Sequence, residues 1–198
     1  TKIDKVIIFS YKNLLNKINN ISFLVKYNHP FLEKNILYQI FWQAIYLPIF
    51  LKKNNVNILF TTDSTSFCKY KPSIVFNQDI LSFDKEALKK IPFGFEKIRL
   101  YLIRFIQILA MNNANKIIFL SKFSKKIISK KLKKKISYKI IPHGAENKLI
   151  KLGQKKLKKL SWDFDKKKKI KLIYVSPLFH YKNHSIVAKV YSELKKKI

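Results

Sequence analysis

Ser121 and His143 each stand just past a short apolar run, and that placement gives them chemical interest. Ser121 follows Ile117-Ile118-Phe119-Leu120, and His143 follows Tyr138 to Ile141 and Pro142. A third run, Ser73 to Phe76, leads into Asn77-Gln78-Asp79. Side chains of these types can hold a polar substrate. A carboxylate accepts from hydroxyls and can take a proton, whereas an amide orients a hydroxyl or phosphate but cannot act as a base. Lys182 precedes a helical pattern, and a cation beside a helix amino terminus suits a phosphate. Each residue has a plainer reading as well. Ser121 serves equally as the cap of the helix that follows it, and capping is the safer reading. His143 can touch a ligand or bond an interdomain hinge. Gly144 reads as a position that needs positive φ. His180 and His184 lack accompanying carboxylates, so no metal site is expected.

The elements that must position these groups form βα units. Ile117 to Leu120 suits a strand buried on both faces. Phe123, Ile127, Ile128 and Leu132 fall near one face of a lysine-rich helix expected over 122–135. Tyr138 to Ile141 returns as a strand, stopped by Pro142-His143-Gly144. Strand, crossover helix and strand imply a parallel sheet, and ligands of such sheets bind outside the strands' carboxyl ends. Upstream, Lys5 to Ser10, Ile21 to Tyr27 and Asn57 to Thr61 read as strands, with a helix over 12–20 between the first two. Thr62 to Ser66 is a polar loop. Asn35 to Lys53 is too short and too polar for a membrane span, which needs about 20 apolar residues. It reads as a buried amphipathic helix that Pro48 kinks or ends, with Trp42 in the core. On the helix expected over 95–112, Ile98, Leu102, Phe105, Ile106 and Leu109 form a stripe that should pack on the sheet. Arg99 and Arg104 belong to this helix and are expected to snorkel or pair with Glu96.

Composition bounds the class. The chain has 198 residues, 47% of them hydrophobic and 14% aromatic, which favours a packed core over disorder. Cys68 is the only cysteine, so neither an internal disulfide nor a cysteine-ligated zinc site is available. Net charge is +31, yet of 42 basic residues only Arg99 and Arg104 are arginine. A nucleic-acid binder would use arginine's planar fork on phosphates and guanine edges. The lysine therefore reads mainly as the bias of an AT-rich genome, and a nucleic-acid partner is not expected. A basic surface still favours an anionic membrane leaflet. No secretory leader is expected within the residues from Thr1 onward, because Val6 to Phe9 is too short an apolar run.

Three blocks in order carry a family resemblance: IIFLSKFSKKII, then IIPHG, then IKLIYVSPLFHYKN. Together they resemble the middle of a glycosyltransferase of family 4. The resemblance implies an α/β chain of GT-B type: a Rossmann-like parallel-sheet amino domain over 1–148, a linker over 149–169, and the start of a second Rossmann-like domain over 170–198. It implies a strand over 170–176 and a helix over 185–195. The glycine-rich loop usual in the family is missing, since the first glycine is Gly94, and the acidic Glu-x7-Glu pair is missing too. Both are expected outside the sequence in hand, which reads as a fragment that alone transfers no sugar.

By the same resemblance, the activity is retaining transfer from a nucleotide-sugar to a glycan or lipid-linked acceptor, in cell-surface polysaccharide assembly. Lys182, in Tyr181-Lys182-Asn183, matches the family's diphosphate-binding lysine, although Pro177 replaces its usual arginine partner. Gln78 stands where histidine is frequent, and Asp79 keeps the acidic character of the reaction centre. Ser121, His143 and Gly144 would line the donor cleft. The nucleotide-sugar is a co-substrate, with no cofactor or metal expected. The implied location is cytoplasmic, peripheral to the inner face of the membrane, with the 122–135 helix docking on anionic lipid. Two other readings are a basic nucleic-acid-binding protein and a catalytically silent GT-B relative.

Overall fold

The computed structural model describes residues 3–133, 135–144, 147, 150–152 and 173–197. Its centre is a four-stranded sheet of β3 (Leu59–Thr61), β4 (Ser73–Asn77), β5 (Lys116–Phe119) and β6 (Ser137–Ile140), in that order and all parallel. Val75 lies opposite Ile117, and Phe119 opposite Ile140. The chain is thus mixed α/β built on parallel strands. β1 (Val6–Phe9) and β2 (Leu24–Tyr27) are also parallel but pair only with each other, in a second small sheet. The helix between them, α1, covers only Lys12–Leu15, shorter than the sequence suggests.

Two successive crossovers that step the same way put their helices on one face of the sheet. The crossover from β4 to β5 carries α4 (Lys85–Lys90) and α5 (Phe95–Asn113), and the one from β5 to β6 carries α6 (Lys122–Ser129). Met111 of α5 and Ile128 of α6 are buried against Val75, Ile117 and Phe119, forming one core. Residues of opposite parity, Phe60, Ile74, Phe76 and Ile118, point the other way and are half-buried or exposed. β5 is therefore sealed on one face only, contrary to the expectation of burial on both.

A second core joins the two sheets. Trp42, Leu47, Leu51 and Leu59 are buried together, with Phe9 packed against them. Helix α2 (Ile36–Phe41) runs through a π-helical turn, Trp42–Tyr46, into α3 (Leu47–Lys53). Pro48 neither ends this helix nor breaks it. Its missing N–H and its bulk against residue 44 are accommodated by the widened turn before it. The same turn fixes which side chains go inside. A gap of five residues spreads side chains about 140° apart on a plain α-helix, but the wider turn keeps Trp42 and Leu47 on one face. Only that face is buried; Ile36, Leu37 and Ile49 are exposed.

On α5 the expected stripe faces outward. Ile98, Leu102, Phe105 and Leu109 are 53–60% exposed, whereas Leu100, Gln107 and Met111 are buried. Both sides of this helix carry apolar residues, so periodicity alone cannot choose between them. Gln107 misleads because its Oε1 accepts from the Ser82 hydroxyl at 2.6 Å, which lets an amide occupy the inner face. Neither arginine pairs with Glu96 among the described residues; the Arg104 guanidinium lies 5.5 Å from the Tyr101 ring centre. Helix α6 stops at Ser129, short of the expected 135, and nothing from 122 to 135 is acidic to offset its lysines. Its buried residues are Ser124 and Ile128, while Phe123 is exposed.

At the carboxyl end, residues 173–179 form no strand, and Ile173 and Val175 are exposed. A parallel strand needs a neighbour for its hydrogen bonds, and none flanks this segment among the described residues. A 3-10 turn at His180–Lys182 leads into α7 (His184–Lys197), close to expectation. The expected linker lies outside the described residues except for the helical 150–152, as does the start of the expected strand at 170–172.

Two predictions follow from charge and burial. Among the described residues a single ion pair forms, Lys89 with Glu86 at 2.8 Å, and both ends are exposed. Most of the +31 charge therefore repels itself across the surface. Raising KCl from about 0.1 M to about 1 M shortens the screening length from about 10 Å to about 3 Å. The melting temperature should rise by about 3 °C or more; a flat or falling trend would contradict unscreened repulsion. Burial pushes the Cys68 thiol above its ordinary value of 9.0, against a smaller lowering by a backbone hydrogen bond from Tyr70. A raised value means that the thiol's contribution to stability is complete below 9.0 and is lost as pH rises through the folded value. Near that pH the folded thiol should react with a disulfide reagent about tenfold more slowly than the unfolded thiol. Equal rates would show that Cys68 is accessible.

Candidate functional site

The carboxyl ends of β4, β5 and β6 form one edge, because the three strands run parallel and adjacent. Asn77-Gln78-Asp79 leaves the end of β4, Ser121 follows β5 by two residues, and His143 follows β6 by three. The polar loop after β3 opens onto the same edge. Four of the residues picked out by sequence are thereby brought to one end of one sheet.

Their side chains are held by the chain itself in different degrees. Gln78 is exposed, and its amide Nε2 donates to the Thr62 carbonyl at 2.9 Å, tying the β4 exit to the β3 loop. Its oxygen has no partner among the described residues and can still accept. Asp79 is exposed, and its Oδ1 accepts from the Leu81 N–H at 2.8 Å, a local turn that leads into the 3-10 segment Leu81–Phe83. The second carboxylate oxygen is left to accept a hydroxyl or a proton. Ser121 makes a reciprocal cap with Ser124: its Oγ accepts from the Ser124 N–H at 3.0 Å, and its own N–H donates to Ser124 Oγ at 3.3 Å. The capping reading of Ser121 is thus the one observed. His143 is exposed, with its ring 6.2 Å from Phe76 in an edge-to-face contact, on the open face of the sheet. The expectation of positive φ at Gly144 is corrected. No described glycine has positive φ, and a Cβ added at Gly144 would meet nothing within 4 Å.

Lys182 is held by contacts of its own. Its backbone is held by the Tyr174 hydroxyl, which donates to the Lys182 carbonyl at 2.6 Å, and its ammonium sits 5.3 Å from the Tyr181 ring centre. The next residue, Asn183, takes a left-handed conformation, and its Oδ1 accepts from Lys90 Nζ at 2.9 Å. That bond reaches the end of α4 rather than the sheet edge. Among the described residues no hydrogen bond links Lys182 to Gln78, Asp79, Ser121 or His143. Nor do three His, Cys, Asp or Glu side chains gather there as a metal site would need. No described helix is long and apolar enough to cross a membrane.

Sequence reasoning passed over Asn77, which lies beneath the edge. Asn77 is 1% exposed; its Nδ2 donates to Ser64 Oγ and to the Asp79 carbonyl, both at 3.1 Å. Its Oδ1 is buried without a partner. The amide therefore locks the β3 loop and the Asp79 backbone to the sheet. An asparagine ending an apolar strand was the available signal. Removing it in Asn77→Ala strands two polar partners and should cost about 1–3 kcal/mol in a urea titration. Ser121→Ala should cost about 1 kcal/mol, the worth of a helix cap. A neutral Asn77→Ala would mean that the loop is held by other contacts. No protein-family model matches the chain, and no curated protein or solved structure matches it either.

Proposed function

We propose that the chain is a glycosyltransferase of GT-B type, moving a sugar from a nucleotide-sugar to a glycan or lipid-linked acceptor with retention of configuration. The observation that carries this reading is the alignment of Gln78, Asp79, Ser121 and His143 along the carboxyl edge of one parallel sheet. Open parallel sheets bind ligands at that edge, and the three sequence blocks add the resemblance to family 4. In this reading the free Asp79 oxygen receives the acceptor hydroxyl. Gln78, anchored by its amide nitrogen, presents its oxygen to orient the same group. Lys182, ahead of α7, neutralises the diphosphate leaving group together with the helix amino terminus. Ser121 supports the site by capping α6 rather than by touching substrate. His143 and Gly144 line the cleft on the open side of the sheet. The reaction would take place at the cytoplasmic face of the membrane, where lipid-linked acceptors are presented.

Thermal shift against a panel of UDP-, GDP-, ADP- and dTDP-sugars tests the donor half of this reading. A ligand at ten times its dissociation constant stabilises by about 1.4 kcal/mol, or about 3–6 °C for a chain of this size. At least one donor should give that shift, and Lys182→Ala should remove it while leaving the ligand-free melt unchanged. Silence across the whole panel would sink the proposal.

A further inference from the structure

Residues of α4 and α6 line an open groove of about 460 Å³. That volume falls within the range of about 300–1,000 Å³ typical of small-molecule sites. The groove follows directly from the way α6 is turned. Its buried residues, Ser124 and Ile128, face the sheet. Phe123, Lys126, Ile127 and Lys130, at spacings of three and four, share another side and line the groove. Phe123 is 59% exposed, an aromatic ring at the groove wall rather than in the core. Phe83 and Ile127 continue the apolar lining inward to the core beneath.

Four lysines, Lys85, Lys126, Lys130 and Lys131, are among the residues that line the groove. Two carboxylates are near, and both are engaged. Asp84 caps α4, accepting from the N–H groups of Glu86 and Ala87 at 3.0 and 3.1 Å. Glu86 pairs with Lys89 at 2.8 Å. Among the described residues, no ion pair or hydrogen bond engages the four lysine heads. A lining of lysines and apolar side chains is complementary to one kind of molecule: an anionic head joined to an apolar chain.

We propose that the α4–α6 groove binds a single amphiphilic anion, with a phosphate-type head on the lysines and its chain along Phe123, Ile127 and Phe83. The inference stands on the groove alone and holds whether or not the chain transfers sugar.

Calorimetric titration with monomeric dodecyl phosphate, below its micelle concentration and at about 0.15 M salt, provides the test. One molecule should bind per chain, about tenfold or more tighter than inorganic phosphate or dodecyl maltoside. The double variant Lys126→Ala, Lys130→Ala should weaken binding by about tenfold. The control pair Lys52→Ala, Lys53→Ala, at the end of α3, removes the same charge elsewhere and should change it by less than about twofold. Phe123→Ser, an exposed position with no charge change, should also weaken dodecyl phosphate while sparing inorganic phosphate. Equal losses in the two lysine pairs would reduce the effect to overall charge and overturn the site. So would dodecyl phosphate binding no tighter than phosphate, or binding only to anionic vesicles and not to the monomer.

Discussion

Parallel pairing of β4 with β5 is the constraint on which the rest of the molecule depends. Four residue pairs from Ile74–Lys116 to Asn77–Phe119 set both direction and register. Reversing the direction would send Asp79 and Ser121 to opposite edges of the sheet. Slipping the register by one residue would turn Val75, Ile117 and Phe119 to the wrong face and empty the core under α5 and α6. Because parallel strands need a crossover, the pairing also dictates where the helices go. The groove between α4 and α6 exists because consecutive crossovers stack on the same side.

The chain tolerates unusual charge because its buried clusters are apolar and nearly free of ionised groups. The buried polar side chains Gln107, Asn77 and Ser124 are neutral and bond to Ser82, Ser64 and Ser121, with only the Asn77 Oδ1 left unpartnered among the described residues. Lysines are left to the surface, where their stems can lie on apolar side chains while their heads stay in water. Lys125 over the Tyr138 ring, at 4.6 Å, is one such contact and ties α6 to β6. Such a surface carries like charges that repel one another, with one ion pair among the described residues.

The βαβ unit from β5 to β6 was legible because three signals agreed: short apolar runs, a capping serine and a proline-glycine stop. Its two strands moved by only a residue, while its helix ended six residues before the expected 135. The α5 face was not legible, since leucine, isoleucine and phenylalanine occur all round the helix and periodicity then has two solutions. The inner one was chosen by a hydrogen bond between Gln107 and Ser82, residues 25 apart in sequence. Pro48 misled for a related reason. Its local effect is to break helices, but a π turn can absorb the clash when Trp42 and Leu47 both gain burial by it. Among site residues, Gln78, Asp79, Ser121 and His143 were found by their positions after strands, whereas Asn77 was hidden because a buried amide resembles any strand-end residue.

Sequence by itself determined the α/β class, the parallel direction of the strands and the polar residues that end them. These depend on local periodicity, turn chemistry and the reach of a crossover, all of which lie within some thirty residues. Tertiary structure decided which helix faces are buried, that β1 and β2 form a sheet of their own, and that Asp79 spends a bond on a turn and Ser121 on a cap. It also decided that Phe123 and four lysines line one groove. Those outcomes turn on contacts between distant segments, where burial free energy and hydrogen-bond satisfaction outweigh local preference.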